Sequence, residues 1–384
     1  MSEIFLVGGA RTPIGSFRGN FKDIPATELC SYAILCSLAK AGVDSRLVEK
    51  VFIGCVLQAG IGQSPARQAA LGAGISIKAN SVTINKVCGS GLEAVIMASQ
   101  AVKLGDIDIA VAGGMENMTR APKIFERTVK DFREEKPKDH LFFDGLTDAY
   151  SKLLMGNCAE LFAQRYNISK ESQDNFAETS YSRAIKAMVM GYFSREIIPI
   201  IIKKDKIIVN DEELTKYNPN GVRAKPCFKE GGTITLFNAS KISDGAASII
   251  VLSKKKAGEL NLKPEARILG YSEGTSKPEW FVDAQISAIE KIFKKVIPKE
   301  KIDFLEINEA FALVPLIVMK ELRIDVEKVN VHGGAVALGH PIGASGCRIL
   351  VTLLNALKIY DKKIGVASCC IGGGEAIALA IERL

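Results

Sequence analysis

Asn85-Lys86-Val87-Cys88-Gly89-Ser90-Gly91-Leu92-Glu93-Ala94-Val95-Ile96-Met97 joins a polar run to a cysteine, then to small residues, then to an apolar helical pattern. The order reads as a cysteine at or just before a helix N-terminus. Unpaired backbone N–H groups and the positive end of the helix dipole favour an anion there. A thiolate is such an anion, and only the thiolate is nucleophilic. The flanking glycines leave room for a substrate at the sulfur. An inert, buried cysteine is the ordinary alternative. Working outward, the helix spans 91–102 and closes near Gly105, and a strand over 107–112 ends at Gly113-Gly114. Ser90-Gly91 precedes Val111-Ala112 by 21 positions, and Ser345-Gly346 precedes Val366-Ala367 by the same 21. Val43 to Val51 and Val296 to Phe304 are both eight apart. The two matches together argue for a duplicated α/β unit.

The wider pattern alternates strand and helix, which is the α/β class. Strands are expected over 4–7 and 51–54, with a helix over 26–41 closed by Gly42. The second half repeats the order: helix 284–296, strand 304–307, helix 346–357, and a strand over 364–367 ending near Gly372-Gly373-Gly374. Two helical patterns, 158–166 and 170–190, and a polar segment, 203–232, lie between the halves. That stretch is too long for a loop and reads as an inserted domain. The expected division is a first half over 1–118 completed by about 243–264, an insertion over 119–242, and a second half over 265–384. A site is expected where equivalent strand ends of the two halves meet.

Composition narrows the function. With 384 residues, 47% hydrophobic and 24% charged, the chain can bury a large core. No apolar run of the roughly 18–20 residues that span a bilayer is read, and no membrane partner is expected. The N-terminus lacks a basic region and turns at Gly8-Gly9, so no signal or transit peptide is expected. Nine cysteines and three histidines show no metal-ligand spacing. Free thiols in the cytoplasm and no metal are expected. The net charge of +7 leaves open nucleic acid, a membrane surface or a polyphosphorylated small molecule. Lys203-Lys204-Asp205-Lys206 and Lys254-Lys255-Lys256 lack aromatic or arginine interleaving, so they read as solvated faces and no nucleic-acid partner is expected.

Three more motifs bear chemistry. Residues 333–346 hold five glycines around His340, a base suited to deprotonating a cysteine. Ser368-Cys369-Cys370-Ile371-Gly372-Gly373-Gly374 places a second cysteine on a glycine-rich turn after a strand, where N–H groups can form an oxyanion hole. Asn308, in Asn308-Glu309-Ala310-Phe311-Ala312, either holds a water or carbonyl or caps a helix.

Together these stretches resemble the thiolase family over the whole chain. Ala10-Arg11-Thr12-Pro13-Ile14-Gly15, Gly113-Gly114-Met115-Glu116-Asn117-Met118, Met155-Gly156-Asn157-Cys158, Asn238-Ala239-Ser240 and Asp244-Gly245-Ala246-Ala247 add to the resemblance. It implies a five-layered α/β/α/β/α fold of two similar halves with an inserted loop domain, assembled as a homodimer or homotetramer. It implies reversible acetyl transfer between CoA thioesters, with coenzyme A as substrate or product and no required cofactor.

Residue by residue, the resemblance makes Cys88 the acyl-carrying nucleophile and His340 the group that activates it and donates to the thioester oxygen. Cys370 becomes the acid/base at the acetyl C2, and Asn308 holds the water of the first oxyanion hole. The N–H groups of Cys88 and Gly372 make the second. Ser240, Leu146, Met155, Ala239 and Phe311 line the CoA site, with phosphates met by Lys and Arg within 203–228. Leu154 stands where short-chain members have His, and His332 where many have Asn. Cys369 is an extra thiol. Alternatives are a broader 3-ketoacyl-CoA thiolase, a ketoacyl synthase of the same fold, which lacks the second cysteine, and a non-catalytic CoA- or lipid-binding relative.

Overall fold

The computed structural model describes residues 3–128, 135–202, 206–219 and 224–384. The first half contributes β1 (Ile4–Arg11), α1 (Ala26–Ala41), β2 (Lys50–Gly54), β3 (Asn80–Ile84), α2 (Ser90–Leu104) and β4 (Ile109–Asn117). Helices α3 (Met155–Tyr166) and α4 (Lys170–Val189) follow, and then the long strand β5 (Ser243–Ser253). The second half contributes β6 (Ala266–Thr275), α5 (Phe281–Lys295), β7 (Phe304–Ile307), α6 (Leu313–Leu322), α7 (Ile342–Ile359), β8 (Ile364–Ile371) and β9 (Glu375–Arg383).

The strands run in the order β7-β8-β9-β6-β1-β5-β4-β2-β3. From β1 outward the first half pairs antiparallel with β5, antiparallel with β4, then parallel through β2 and β3. From β6 outward the second half repeats that sense: antiparallel β9, antiparallel β8, parallel β7. Among the described residues, only the pairs Phe5–Arg267 and Leu6–Ala266 join the halves along the sheet. The shared helices α2 and α7 pack on each other between the two sheet halves, while α1 covers the outer face of the first and α5 that of the second. The layers therefore run helix, sheet, helix pair, sheet, helix.

Sequence explains the tight middle layer. A Cβ at Gly346 would overlap the Leu92 amide nitrogen, and one at Gly91 would stand 2.8 Å from the Cys347 nitrogen. The two helices thus approach through their equivalent Ser-Gly pairs. The glycines at 113–114 do not end a strand, as the sequence reading expects. β4 continues through them to Asn117, and a Cβ at Gly114 would overlap the Gly343 carbonyl oxygen. They admit close backbone approach and make no turn. Likewise the glycine-rich run after His340 is already helical from Ile342. Helix α7, 18 residues long, is by length and composition apolar enough to cross a membrane, which the sequence reading overlooked; it is the buried centre of this fold.

Candidate active site

The turn before α2 holds Cys88 in a strained frame. Val87 has φ 46°, a left-handed backbone that a β-branched residue rarely adopts. Three bonds over-determine it. Asn85 Oδ1 accepts from the Val87 N–H at 3.0 Å, and Ser90 Oγ accepts from the Lys86 N–H at 2.8 Å and donates to the Val87 carbonyl at 2.6 Å. Cys88 lies two residues before the first residue of α2 and borders a cavity. The N–H of Gly372 and its own N–H bond its sulfur, yet burial outweighs them and pushes the thiol up to about 11. The helix terminus alone therefore does not make Cys88 a standing thiolate, contrary to the simplest reading of the sequence.

His340 is buried in the segment entering α7. Ser345 Oγ donates to the Pro341 carbonyl at 2.9 Å and stands 2.5 Å from His340 Nδ1. A hydroxyl whose hydrogen is committed to Pro341 accepts from Nδ1–H, which leaves Nε2 as the bare acceptor. Burial holds the ring down to about 3, with the Arg348 charge adding to the effect, so it rests neutral. Asn308 Nδ2 lies 3.4 Å from Nε2. Asn308 follows β7 and precedes α6 by several residues, so it caps no helix, and its buried Oδ1 has no hydrogen-bond partner among the described residues.

Successive residues of a strand face opposite ways, which separates the adjacent cysteines of β8. Cys370 borders the cavity beside Cys88, and burial raises its thiol far above the ordinary value. Cys369 turns into the core and donates through Sγ to the Cys88 carbonyl at 3.3 Å.

An inner cavity of about 60 Å³ brings together Cys88, His340, Cys370 and Gly372. It abuts an outer one of about 380 Å³. Leu146, Met155, Ser240 and Phe311 border both, and Ala239 borders the outer one only. Leu154 borders only the outer cavity, away from the thiols. Of the basic residues in 203–228, Lys203, Lys204 and Arg223 lie outside the described residues. Lys216 borders the outer cavity, where it pairs with Glu212 at 2.9 Å. His332 is buried away from both cavities, ringed by Tyr192, Phe193 and Tyr360.

Two contributors escaped the sequence reading. Ser345 sets the histidine tautomer; its position five residues after His340 was the available signal. Glu116 accepts from the N–H groups of Val56, Leu57 and Gly343, tying the start of α7 to the 55–57 segment. Burial pushes it up to about 7 against those bonds. A lone acid among glycines and apolar residues was its signal.

Comparison with known proteins identifies the family. Residues 4–255 match the family described as thiolase, N-terminal domain, and 262–383 match thiolase, C-terminal domain. Acetyl-CoA acetyltransferase 2 of Arabidopsis thaliana is 46% identical over 392 residues, covering 100% of this chain and 97% of the relative. The mitochondrial acetyl-CoA acetyltransferase of Mus musculus is 45% identical over 391 residues, covering 100% and 92%. The solved structure of Acat5 thiolase from Ascaris suum in complex with coenzyme A superposes with a TM-score of 0.95 at 39% identity, covering all of both chains.

Proposed function

The chain belongs to the thiolase family, and from that premise we propose that it is an acetyl-CoA C-acetyltransferase. It interconverts two acetyl-CoA with acetoacetyl-CoA and CoA. The observation that carries this reading is Cys88, its sulfur bonded by two backbone N–H groups in a chamber shared with His340 and Cys370.

The chemistry follows from the neutral resting pair. His340 Nε2 takes the Cys88 proton as the sulfur attacks the thioester carbon. The N–H groups of Cys88 and Gly372 receive the oxyanion. The carbon–sulfur bond to CoA breaks, and Cys370 gives its proton to the departing CoA thiolate. Burial makes the resulting Cys370 thiolate a strong base, suited to removing a proton from C2 of a second acetyl-CoA. The enolate oxygen is met by His340 Nε2–H and by a water held on Asn308. C2 then bonds to the acyl carbon, the bond to Cys88 breaks, and the proton returns from His340 to its sulfur. Thiolysis reverses these steps. This sequence needs no metal or redox cofactor. The outer cavity takes the pantetheine arm of CoA along Leu146, Met155, Ala239, Ser240 and Phe311.

The same reading includes a homodimer or homotetramer in a reducing compartment, the cytoplasm, where Cys88 and Cys370 remain thiols. The deciding experiment is intact-protein mass after mixing with acetoacetyl-CoA. Acetyl on Cys88, released by added CoA and absent from Cys88→Ala, is the expected result. Acetoacetyl-CoA turnover without a Cys88 adduct would sink the assignment.

A further inference from the structure

We propose that Phe281 sets the acyl-chain limit of this enzyme by closing the far end of the inner chamber. The inference rests on the thiolase reading and adds a residue that contacts the substrate tail.

The chemistry says where extra carbons go. In thiolysis of a 3-ketoacyl-CoA, the Cys88 sulfur bonds to C3 and the C2–C3 bond breaks. The electron pair goes to C2, which takes a proton from Cys370 and leaves as acetyl-CoA. Everything beyond C3 stays on Cys88. A longer substrate therefore places its extra carbons in the inner chamber, and the outer cavity, which holds CoA, offers them nothing.

That chamber is small, about 60 Å³ against 380 Å³ for the outer cavity. Apart from the reacting groups, the residues that border it and not the outer cavity are Val87, Gly145, Phe281, Ala310 and Ile371. Val87 and Ile371 adjoin Cys88 and Cys370 in the chain, so a backbone shift at either would move a reacting sulfur. Gly145 and Ala310 have almost no side chain to withdraw. Phe281 alone in this set is a large side chain on a separate element, the first residue of α5.

Phe281 is also held in place. It is 1% exposed and meets Phe162 edge-on, with centroids 5.0 Å apart at 65°. Trp280 meets the same ring at 5.1 Å and 86°. Phe281 is thus braced edge-on against a ring that Trp280 braces in turn, which holds it against the chamber. Leu154, which stands where short-chain members have His, borders only the outer cavity, away from where extra carbons would go.

The test compares kcat/KM for thiolysis of acetoacetyl-CoA and 3-ketohexanoyl-CoA in wild type, Phe281→Ala and Phe281→Leu, with folding checked by thermal melting. With about tenfold discrimination per methylene, wild type should favour the four-carbon substrate by about 100-fold. Phe281→Ala should cut that preference at least tenfold, through an absolute gain on the six-carbon substrate, with Phe281→Leu between. If the alanine variant does not fold, the leucine variant decides. A folded variant that keeps the wild-type preference, or a wild type that uses both substrates equally, overturns the proposal. A wild type that turns over neither overturns the thiolase reading beneath it, which separates the two failures.

Discussion

At the scale of the residue, the site is a neutral thiol beside a neutral imidazole. Burial sets both states: Cys88 rises to about 11 and His340 falls to about 3. The raised thiol means less thiolate at neutral pH, so activation waits for a substrate and for proton transfer to Nε2. Alkylation of Cys88 by iodoacetamide, followed by peptide mass, reports this directly. The rate should keep climbing with pH past the ordinary thiol value of about 8.5, toward about 11. A plateau reached by pH 8 would show a standing thiolate and contradict the neutral pair. The motif around Cys88 was legible because a cysteine between glycines at a helix start is a local pattern. Its proton affinity was not, because that depends on what covers it.

At the scale of the element, two equivalent helices carry the machinery. Helix α2 begins just after Cys88, and α7 begins just after His340. Their glycine-to-backbone contact sets how far apart those two residues stand. Gly346→Ala would force a methyl group into the Leu92 amide. Overpacking of this kind costs about 1–3 kcal/mol. A lower urea midpoint and a lower kcat are expected together, because the separation of α2 and α7 fixes the distance from Cys88 to His340. Unchanged stability would mean that the helices separate freely. The equal spacings in the two halves exposed these elements in the sequence. Their glycines looked like punctuation, and the fold uses several of them as close contacts.

At the scale of the whole molecule, the site is assembled from three stretches of chain. Cys88 comes from the first half; Asn308, His340, Cys370 and Gly372 come from the second; Leu146, Met155 and Ser240 come from between them. Long-range ties hold them in place. Lys86 Nζ reaches Glu273 across the halves at 2.7 Å. Buried Arg11 on β1 bonds Glu196 and Asp211, both at 2.7 Å.

His332 joins the same regions through ring contacts with Tyr192 at 5.2 Å, Phe193 at 6.0 Å and Tyr360 at 5.5 Å, and neither of its nitrogens has a hydrogen-bond partner among the described residues. Burial lowers it from 6.5 to about 4. Because the folded value is below the unfolded one, the unfolded chain binds the extra proton in that window. Stability is full above about 6.5 and drains as pH falls toward 4, by up to about 1.4 kcal/mol per pH unit. His332→Phe keeps the ring stack and removes this loss. Its urea-unfolding free energy should fall less than that of wild type between pH 7 and pH 5. Parallel losses would show that His332 is not the group responsible.

The sequence by itself marked the duplicated α/β unit and the order of its helices and strands, and singled out the residues proposed to carry the chemistry. Each of these is written in spacing and in near neighbours along the chain. Only the tertiary structure decided that Cys369 turns into the core, that Ser345 orients His340, and that Phe281 borders the inner chamber. These facts depend on burial and on which side chains meet in space, and local periodicity carries no record of either.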